Sequence, residues 1–327
     1  MPGIEPMTLR RIELHEFRKI AQGIARAEDV VALRDGRVFA SHHDGAVAEI
    51  TPNGDFRVLG SKFGAPNGIA MDAQGRFVIA NFGIYDGAPG PLELFDPRTG
   101  ARTVLVGEIG GRSLTSCNYP IIDRAGNIWC SHSTFAATWP EALDRRPDGF
   151  IFVLRSDGST DIVATGLRFP NGLALDAAER HLYVTQTSNA DVLRFPILPG
   201  AKLGPSERYG PRLGFVTGMK TNPDLKLPGF ITRFLGYTDG LAFDAEGNLW
   251  VTLPAAHMIA AITPAGRKVV IAHDPSGTLI RGPSNIAWGG PDLMDLYIAD
   301  LRADYVLTTR SPVAGMPMYH QWAPYLN

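Results

Sequence analysis

Six short motifs in this chain each open on a side chain that carries a hard oxygen donor. In chain order those residues are Glu28, Asn67, Asn118, Asn171, Asp239 and Asn285. All six are carboxylates or carboxamides, and none is Lys, Arg or apolar. Brought together, such a set suits a divalent cation, calcium first, because calcium takes about six to eight oxygens in flexible geometry. Two carboxylates would neutralise the ion in a place where uncompensated charge is costly. Zinc-type spacing is missing: neither His-Glu-x-x-His nor paired Cys-x-x-Cys motifs occur. Taken singly, Asn-Gly and Asp-Gly are common turn dipeptides. The six oxygen-bearing residues stand in register, and that register is the stronger signal.

The elements that must position these residues repeat. Pro66-Asn67-Gly68-Ile69-Ala70-Met71-Asp72, Pro170-Asn171-Gly172-Leu173-Ala174-Leu175-Asp176 and Thr238-Asp239-Gly240-Leu241-Ala242-Phe243-Asp244 are plain copies of one unit. Weaker copies begin at Glu28, Asn118 and Ser284-Asn285. Each runs through a Gly-containing turn into a second apolar stretch such as Leu249-Trp250-Val251-Thr252, which is a hairpin signal. A second strand pair follows most hairpins, with Asn53-Gly54 and Asp157-Gly158 in the turns. Four strands repeated six times predict an all-β, six-bladed β-propeller. The first strand of each blade lines the central channel, so the six anchors converge near one end of it. A polar channel filled by water alone is the alternative to a metal there.

One propeller domain accounts for residues 1–327. A segment of about Ile12 to Ile20 is predicted to supply the outer strand of the last blade, because closure removes an exposed sheet edge. Pro199 to Phe234, rich in Gly, Pro, Lys and Arg, reads as a surface excursion. A net charge of −2 gives no field to attract nucleic acid or an anionic membrane. No apolar run approaches a membrane span, and Met1 to Lys19 has no apolar h-region, so a cytoplasmic protein is expected. Cys117 and Cys130 read as two buried thiols rather than a disulfide framework.

At the anchor segments the chain resembles the senescence-marker-protein/gluconolactonase family, and more distantly the diisopropyl-fluorophosphatase and paraoxonase type of propeller. The resemblance rests on Phe169 to Asp176, on Thr238 to Asp244 with Gly247-Asn248-Leu249-Trp250-Val251, and on Ser284-Asn285-Ile286-Ala287-Trp288-Gly289-Gly290. The run from His181 to Phe195 looks like one of the family's blade junctions. The likeness covers about Ile20 to Leu307. It implies a bound Ca²⁺, with Zn²⁺, Mn²⁺ or Mg²⁺ as substitutes, held by Glu28, Asn171 and Asp239. Asn118 would be a fourth ligand or a substrate contact. It also implies hydrolysis of a lactone or other ester, with Asp239 as ligand and general base or water orienter and the metal as Lewis acid. Two segments depart from the sugar-lactonase pattern: Glu28-Asp29-Val30 replaces Glu-Gly-Pro, and His132 to Trp139 lacks Asp-Pro-x-Tyr-Gly.

Residues just after each second strand should form the pocket rim. They include His42, His43, Phe82, Tyr85, His132, Trp139, Gln186, Thr187, His257 and Asp300. With Asn118, Asn67 and Asn285, the aromatic members Phe82, Tyr85 and Trp139 are candidate substrate contacts, suiting a small molecule with apolar parts. His132 is the preferred proton relay, its ordinary pKa being near neutral. No Gly-x-Ser-x-Gly elbow supports an acyl-enzyme. Besides a metal-dependent lactone or ester hydrolase, two classes stay open: a metal-independent enzyme like the strictosidine-synthase propellers, and a ligand-sensing propeller.

Overall fold

The computed structural model describes residues 9–216 and 229–322. Its architecture is six antiparallel sheets arranged as the blades of a propeller. The innermost strands are Val30–Ala32, Pro66–Met71, Cys117–Ile122, Pro170–Leu175, Leu241–Phe243 and Pro283–Gly289. Each pairs with the next strand in sequence, and so outward through the blade. The six inner strands are apolar along their lower halves, as strands packed on both sides must be. The core lies between blades, where large side chains such as Trp129, Trp250, Phe77 and Phe152 are fully buried.

The ring closes between the two ends of the chain. Arg18–Ile20 pairs antiparallel with Val306–Arg310 and forms the outer strand of blade 6, whose other strands are Asp295–Asp300 and Pro283–Gly289. The strand is shorter than the Ile12 to Ile20 segment expected for it. Leu14–Glu16 is instead a 3₁₀ turn, and Ile12 is buried against blade 5, its amide donating to the Ile271 carbonyl.

The excursion expected from Pro199 onward begins later. Lys202–Leu203 and Glu207–Arg208 both pair with Asp191–Leu198 and finish blade 4. Sequence pattern concealed this because the pairing is split into two short pieces by Gly204-Pro205. Residues 217–228 of the same excursion lie outside the described residues.

The glycines that follow the anchors are not turn residues. Gly172 and Gly240 have no positive φ. A Cβ on Gly172 would stand 2.8 Å from the Gly240 Cα, and one on Gly240 would overlap Asn285 Oδ1 and the Ser284 carbonyl. These positions need glycine because neighbouring inner strands approach backbone to backbone at the top of the channel.

The Asp that follows four of the inner strands (Asp72, Asp123, Asp176 and Asp244) does a turn's work instead. Asp123 and Asp244 accept hydrogen bonds from the two turn amides with one oxygen. With the other they accept the indole N–H of Trp129 and Trp250, each at 2.9 Å. At the opposite mouth the segment Met316 to Trp322 lies across the channel. Gln321 Nε2 donates to the carbonyls of Ala32 (2.8 Å) and Trp288 (2.7 Å), and His320 Nε2 donates to Ala32 (3.1 Å). Among the described residues no helix is long and apolar enough to cross a membrane.

Candidate metal centre

The anchors are aimed by local irregularities in the blades. Pairing between the first and second strands shifts register across Pro66/Ile69, Cys117/Pro120, Pro170/Leu173 and Pro283/Asn285, spanning or adjoining Asn67, Asn118, Asn171 and Asn285. Such bulges redirect a side chain and free backbone groups from the ladder. Hydroxyls on the second strands take those groups up. Ser41 Oγ accepts the amides of Glu28 and Asp29, each at 3.0 Å. Ser131 Oγ accepts the Tyr119 amide and donates to the Asn171 carbonyl of the next blade at 2.6 Å. Thr185 Oγ1 donates to the Asp239 carbonyl (2.5 Å) and Thr252 Oγ1 to the Ser284 carbonyl (2.8 Å). Blades 3, 4 and 5 thus hold backbone at or beside the anchor of the next blade. This tie was missed from sequence, although the signal was there: Ser41, Ser131, Thr185 and Thr252 occupy the same fourth place in Val-Phe-Ala-Ser, Ile-Trp-Cys-Ser, Leu-Tyr-Val-Thr and Leu-Trp-Val-Thr.

All six anchors are buried, between 2% and 8% exposed, so their polar atoms must find partners inside the channel. Asn171 Nδ2 donates to Thr187 Oγ1 at 3.2 Å, and its carboxamide lies beside the Asp239 carboxylate. Thr187 in turn donates to the Thr238 carbonyl. Asn67 Nδ2 donates to both the backbone and side-chain carbonyl oxygens of Asn118, at 3.2 Å each. Asn67 Oδ1 accepts from Arg26 Nη2 at 3.0 Å. Asn67 is therefore a strut that orients Asn118 and not an open substrate contact. Asn285 is likewise spent: its Nδ2 donates to Asp29 Oδ1 (2.7 Å) and its Oδ1 accepts the Ile286 amide (2.8 Å).

Glu28 and Asp239 carry the charge of the site. Burial raises the pKa of both carboxyls. Arg26 opposes the rise for Glu28, while for Asp239 the neighbouring Glu28 charge adds to it. Glu28 Oε2 is buried without a hydrogen-bond partner, and its nearest cation, Arg26 Nη2, stands at 3.4 Å. An ionised carboxylate oxygen left bare in this way is costly unless something supplies positive charge to it.

Asp29, which sequence reasoning noted only as a departure from a family pattern, is a third buried carboxylate. Its oxygens are committed to the amides of Val30 and Ile69 and to Asn285, so it adds charge without being a free ligand. Burial raises the pKa of Glu28, Asp29 and Asp239 alike, and a divalent cation among them would favour their charged forms. Among the described residues no three His, Cys, Asp or Glu side chains converge as a ligand set. The candidate donors are instead two carboxylates with carboxamides, a set that would fit calcium better than zinc.

His132 does not belong to this site. It is fully buried against the rings of Phe135 and Phe150, at 4.4 and 4.6 Å. Its Nε2 accepts the amides of Thr115 and Ser116, each at 3.2 Å, and burial depresses its pKa to about 3. A histidine so fixed stays neutral near neutral pH, with its Nε2 lone pair taken by amides and its Nδ1 buried without a partner, so it is not placed to relay a proton, contrary to the sequence expectation. The other imidazole beside the first anchor, His42, accepts the Asp44 amide and is also structural.

The aromatic candidates divide. Phe82 is buried at the back of a cluster with Trp139 (5.5 Å, edge to face) and Phe169 (5.9 Å). Trp139 and Tyr85 are exposed, and Tyr85 lies beneath the Arg26 guanidinium at 4.0 Å.

The family model described as SMP-30/Gluconolactonase/LRE-like region matches residues 83–302. Among curated proteins the chain is 27% identical to a gluconolactonase of Zymomonas mobilis over 216 residues, 65% of this chain and 55% of that protein. The chain spans about half the length of the curated relatives it matches. Among solved structures it resembles a gluconolactonase from Xanthomonas campestris, with a TM-score of 0.65 and 22% identity over 90% of this chain and 89% of that one. It also resembles a calcium-binding protein, regucalcin, from Agrobacterium tumefaciens, with a TM-score of 0.64 and 17% identity over 92% and 95%.

Proposed function

The chain belongs to the SMP-30/gluconolactonase/LRE-like family, and from that premise we propose that it is a metal-dependent lactonase. The observation that carries the reading is the buried Glu28–Asp239 pair, one of whose oxygens has no hydrogen-bond partner, among oxygen-bearing anchors. Glu28, Asn171 and Asp239 would hold the cation, with Asn118 as a fourth ligand or a hydrogen-bonder to the substrate. Calcium is the ion this oxygen set favours, and regucalcin, of the same fold, is described as a calcium-binding protein.

When bound, the cation supplies Lewis-acid polarisation of a carbonyl. The protein's own residues supply position and a base. Asp239 is fixed through its backbone carbonyl by Thr185, and the Asn171 carboxamide lies beside its carboxylate. It takes a proton from water as the water oxygen bonds to the acyl carbon. The ring C–O bond then breaks, and the proton passes to the departing alkoxide, giving the open hydroxy acid. Asn67 holds the Asn118 carboxamide in one orientation throughout. Trp139 and Tyr85 offer apolar surface at the mouth for the rest of a small-molecule lactone or ester. His132 has no part in the proton transfers.

A panel of aliphatic, aromatic and sugar lactones followed by pH-stat tests this reading. Hydrolysis is expected to stop on treatment with EDTA and to return with Ca²⁺. Asp239→Ala should be inactive. Activity that ignores chelation would point to the strictosidine-synthase-like alternative, and an active, metal-free Asp239→Ala protein would overturn the mechanism.

A further inference from the structure

Arg26 stands at the mouth of the channel in an arrangement that ordinary packing does not require. Its backbone is left-handed, with φ 49°, a conformation costly for a residue with a Cβ and tolerated mainly where function or surrounding structure imposes it. The guanidinium reaches from blade 1 to blade 2. Nη1 donates to the Pro66 carbonyl (3.3 Å), Nη2 donates to Asn67 Oδ1 (3.0 Å), and its face stacks on Tyr85 at 4.0 Å. Tyr85 itself is 51% exposed and packs edge-on against His43. About a tenth of the Arg26 side chain (11%) reaches solvent. The group is thus held rigidly at the border of channel and solvent.

What it lacks is a carboxylate in hydrogen-bonding geometry. The nearest is Glu28, but Oε2 is 3.4 Å from Nη2 and has no hydrogen bond. Charged pairs meant to persist are closer and often bidentate. Asp29 offers no substitute, since both its oxygens are occupied by backbone and Asn285. If Glu28 turns its oxygens to a divalent cation, Arg26 is left as a desolvated, pre-oriented positive fork facing the entrance. Planar guanidinium is the side chain best matched to an oxyanion in such a place.

We propose that Arg26 binds an anionic substituent, a carboxylate in the first instance, on the lactone that enters this channel. The inference rests on the lactonase reading and sharpens it. The preferred substrates are lactones bearing an acid group away from the scissile carbonyl, and neutral lactones are the poorer class. A phosphate or sulfonate substituent would use the same fork, and paired substrates with each group distinguish them.

The test compares γ-butyrolactone with the same ring carrying a carboxylate, 5-oxotetrahydrofuran-2-carboxylate, and adds a calorimetric titration that needs no turnover. The titrant is 3-oxocyclopentanecarboxylate, the ring ketone with CH₂ in place of the ring oxygen, added to the Ca²⁺-loaded protein. The native protein is expected to prefer the carboxylated lactone. In Arg26→Met the preference, as a ratio of kcat/KM values, should fall by about ten- to a hundredfold, the size of a lost charge-assisted hydrogen-bonding pair. The loss should lie in KM, and Arg26→Lys should recover part of it.

The ketone carboxylate should bind native protein and lose affinity in Arg26→Met to a similar degree. A Ca²⁺ titration of Arg26→Met should remain saturable, which shows that the site is folded. Arg26-dependent binding of the ketone carboxylate by a protein that hydrolyses neither lactone would support the anion site and sink the lactonase reading. Equal kcat/KM for both lactones, with no change of ratio in Arg26→Met, would remove the anion site and leave the lactonase standing. A fall in kcat of equal size for both lactones would also overturn the proposal, by placing Arg26 on the reacting carbonyl.

Discussion

His132 shows how the surroundings of one residue fix its charge and bar it from a role its type would suit. Two amides point at Nε2, two phenylalanine rings pack against the imidazole, and burial lowers its pKa to about 3. The unfolded chain takes up a proton near pH 6.5, which the folded protein refuses until about pH 3. Stability from this residue is therefore complete above about pH 6.5 and is lost as pH falls toward 3. Urea denaturation at pH 7 and pH 5 should differ by about 2 kcal/mol on this account. The difference should shrink in His132→Gln, which should keep its lactone hydrolysis. His320, buried with a pKa near 4, acts in the same direction, so the native protein's full acid sensitivity should exceed the part His132→Gln removes. At the proposed metal centre, Glu28→Gln and Asp239→Asn would each remove one of the two charges offered to a divalent cation. Calorimetric Ca²⁺ binding should weaken by at least about a hundredfold in either variant, the cost of unpairing a buried charge. Wild-type affinity in both would rule out the ligand set. The anchors could be read from sequence because type and register sufficed. His132 could not, since its partners, Thr115, Ser116 and Phe150, come from other strands of its blade and the turns between them.

At the scale of elements, the blades are locked to one another at the site itself. Second-strand hydroxyls of blades 3, 4 and 5 cross to carbonyls at or beside the anchors of the next blade, and Asn67 crosses from blade 2 to blade 3. Thr185→Val should cost about 1 kcal/mol of stability, the net worth of one buried hydrogen bond. It should also weaken Ca²⁺ binding, because the Asp239 backbone is no longer held; calorimetry and urea titration together separate the two effects. A stability loss without any change in Ca²⁺ affinity would mean that the tie is structural only. Gly240→Ala should be worse, since its Cβ would overlap Asn285 Oδ1 and the Ser284 carbonyl, neither of which can move without breaking the ring. The Gly in each motif was legible, but its reason was not. A turn and a close approach of strands select the same residue, and only the neighbouring blade distinguishes them.

The whole molecule depends on closure by two distant ends of the chain. Arg18–Ile20 covers the edge that Val306–Arg310 would otherwise present. Deleting residues 1–20 should leave that edge free and produce association on gel filtration with a lower melting temperature. A monomer of native stability would show that the strand is dispensable. The sequence by itself determined the propeller, its six anchors and their oxygen chemistry, because strand alternation, turn residues and a repeat are local and periodic. The tertiary structure decided which anchors are free to act. Asn67 and Asn285 are consumed by Asn118 and Asp29, whereas Glu28 keeps an oxygen without a hydrogen bond. It also placed Arg26 beside Glu28 at the mouth of the channel. The physical reason is that a buried polar atom's role depends on what satisfies it, and here the partners come from other blades, beyond the reach of any local pattern.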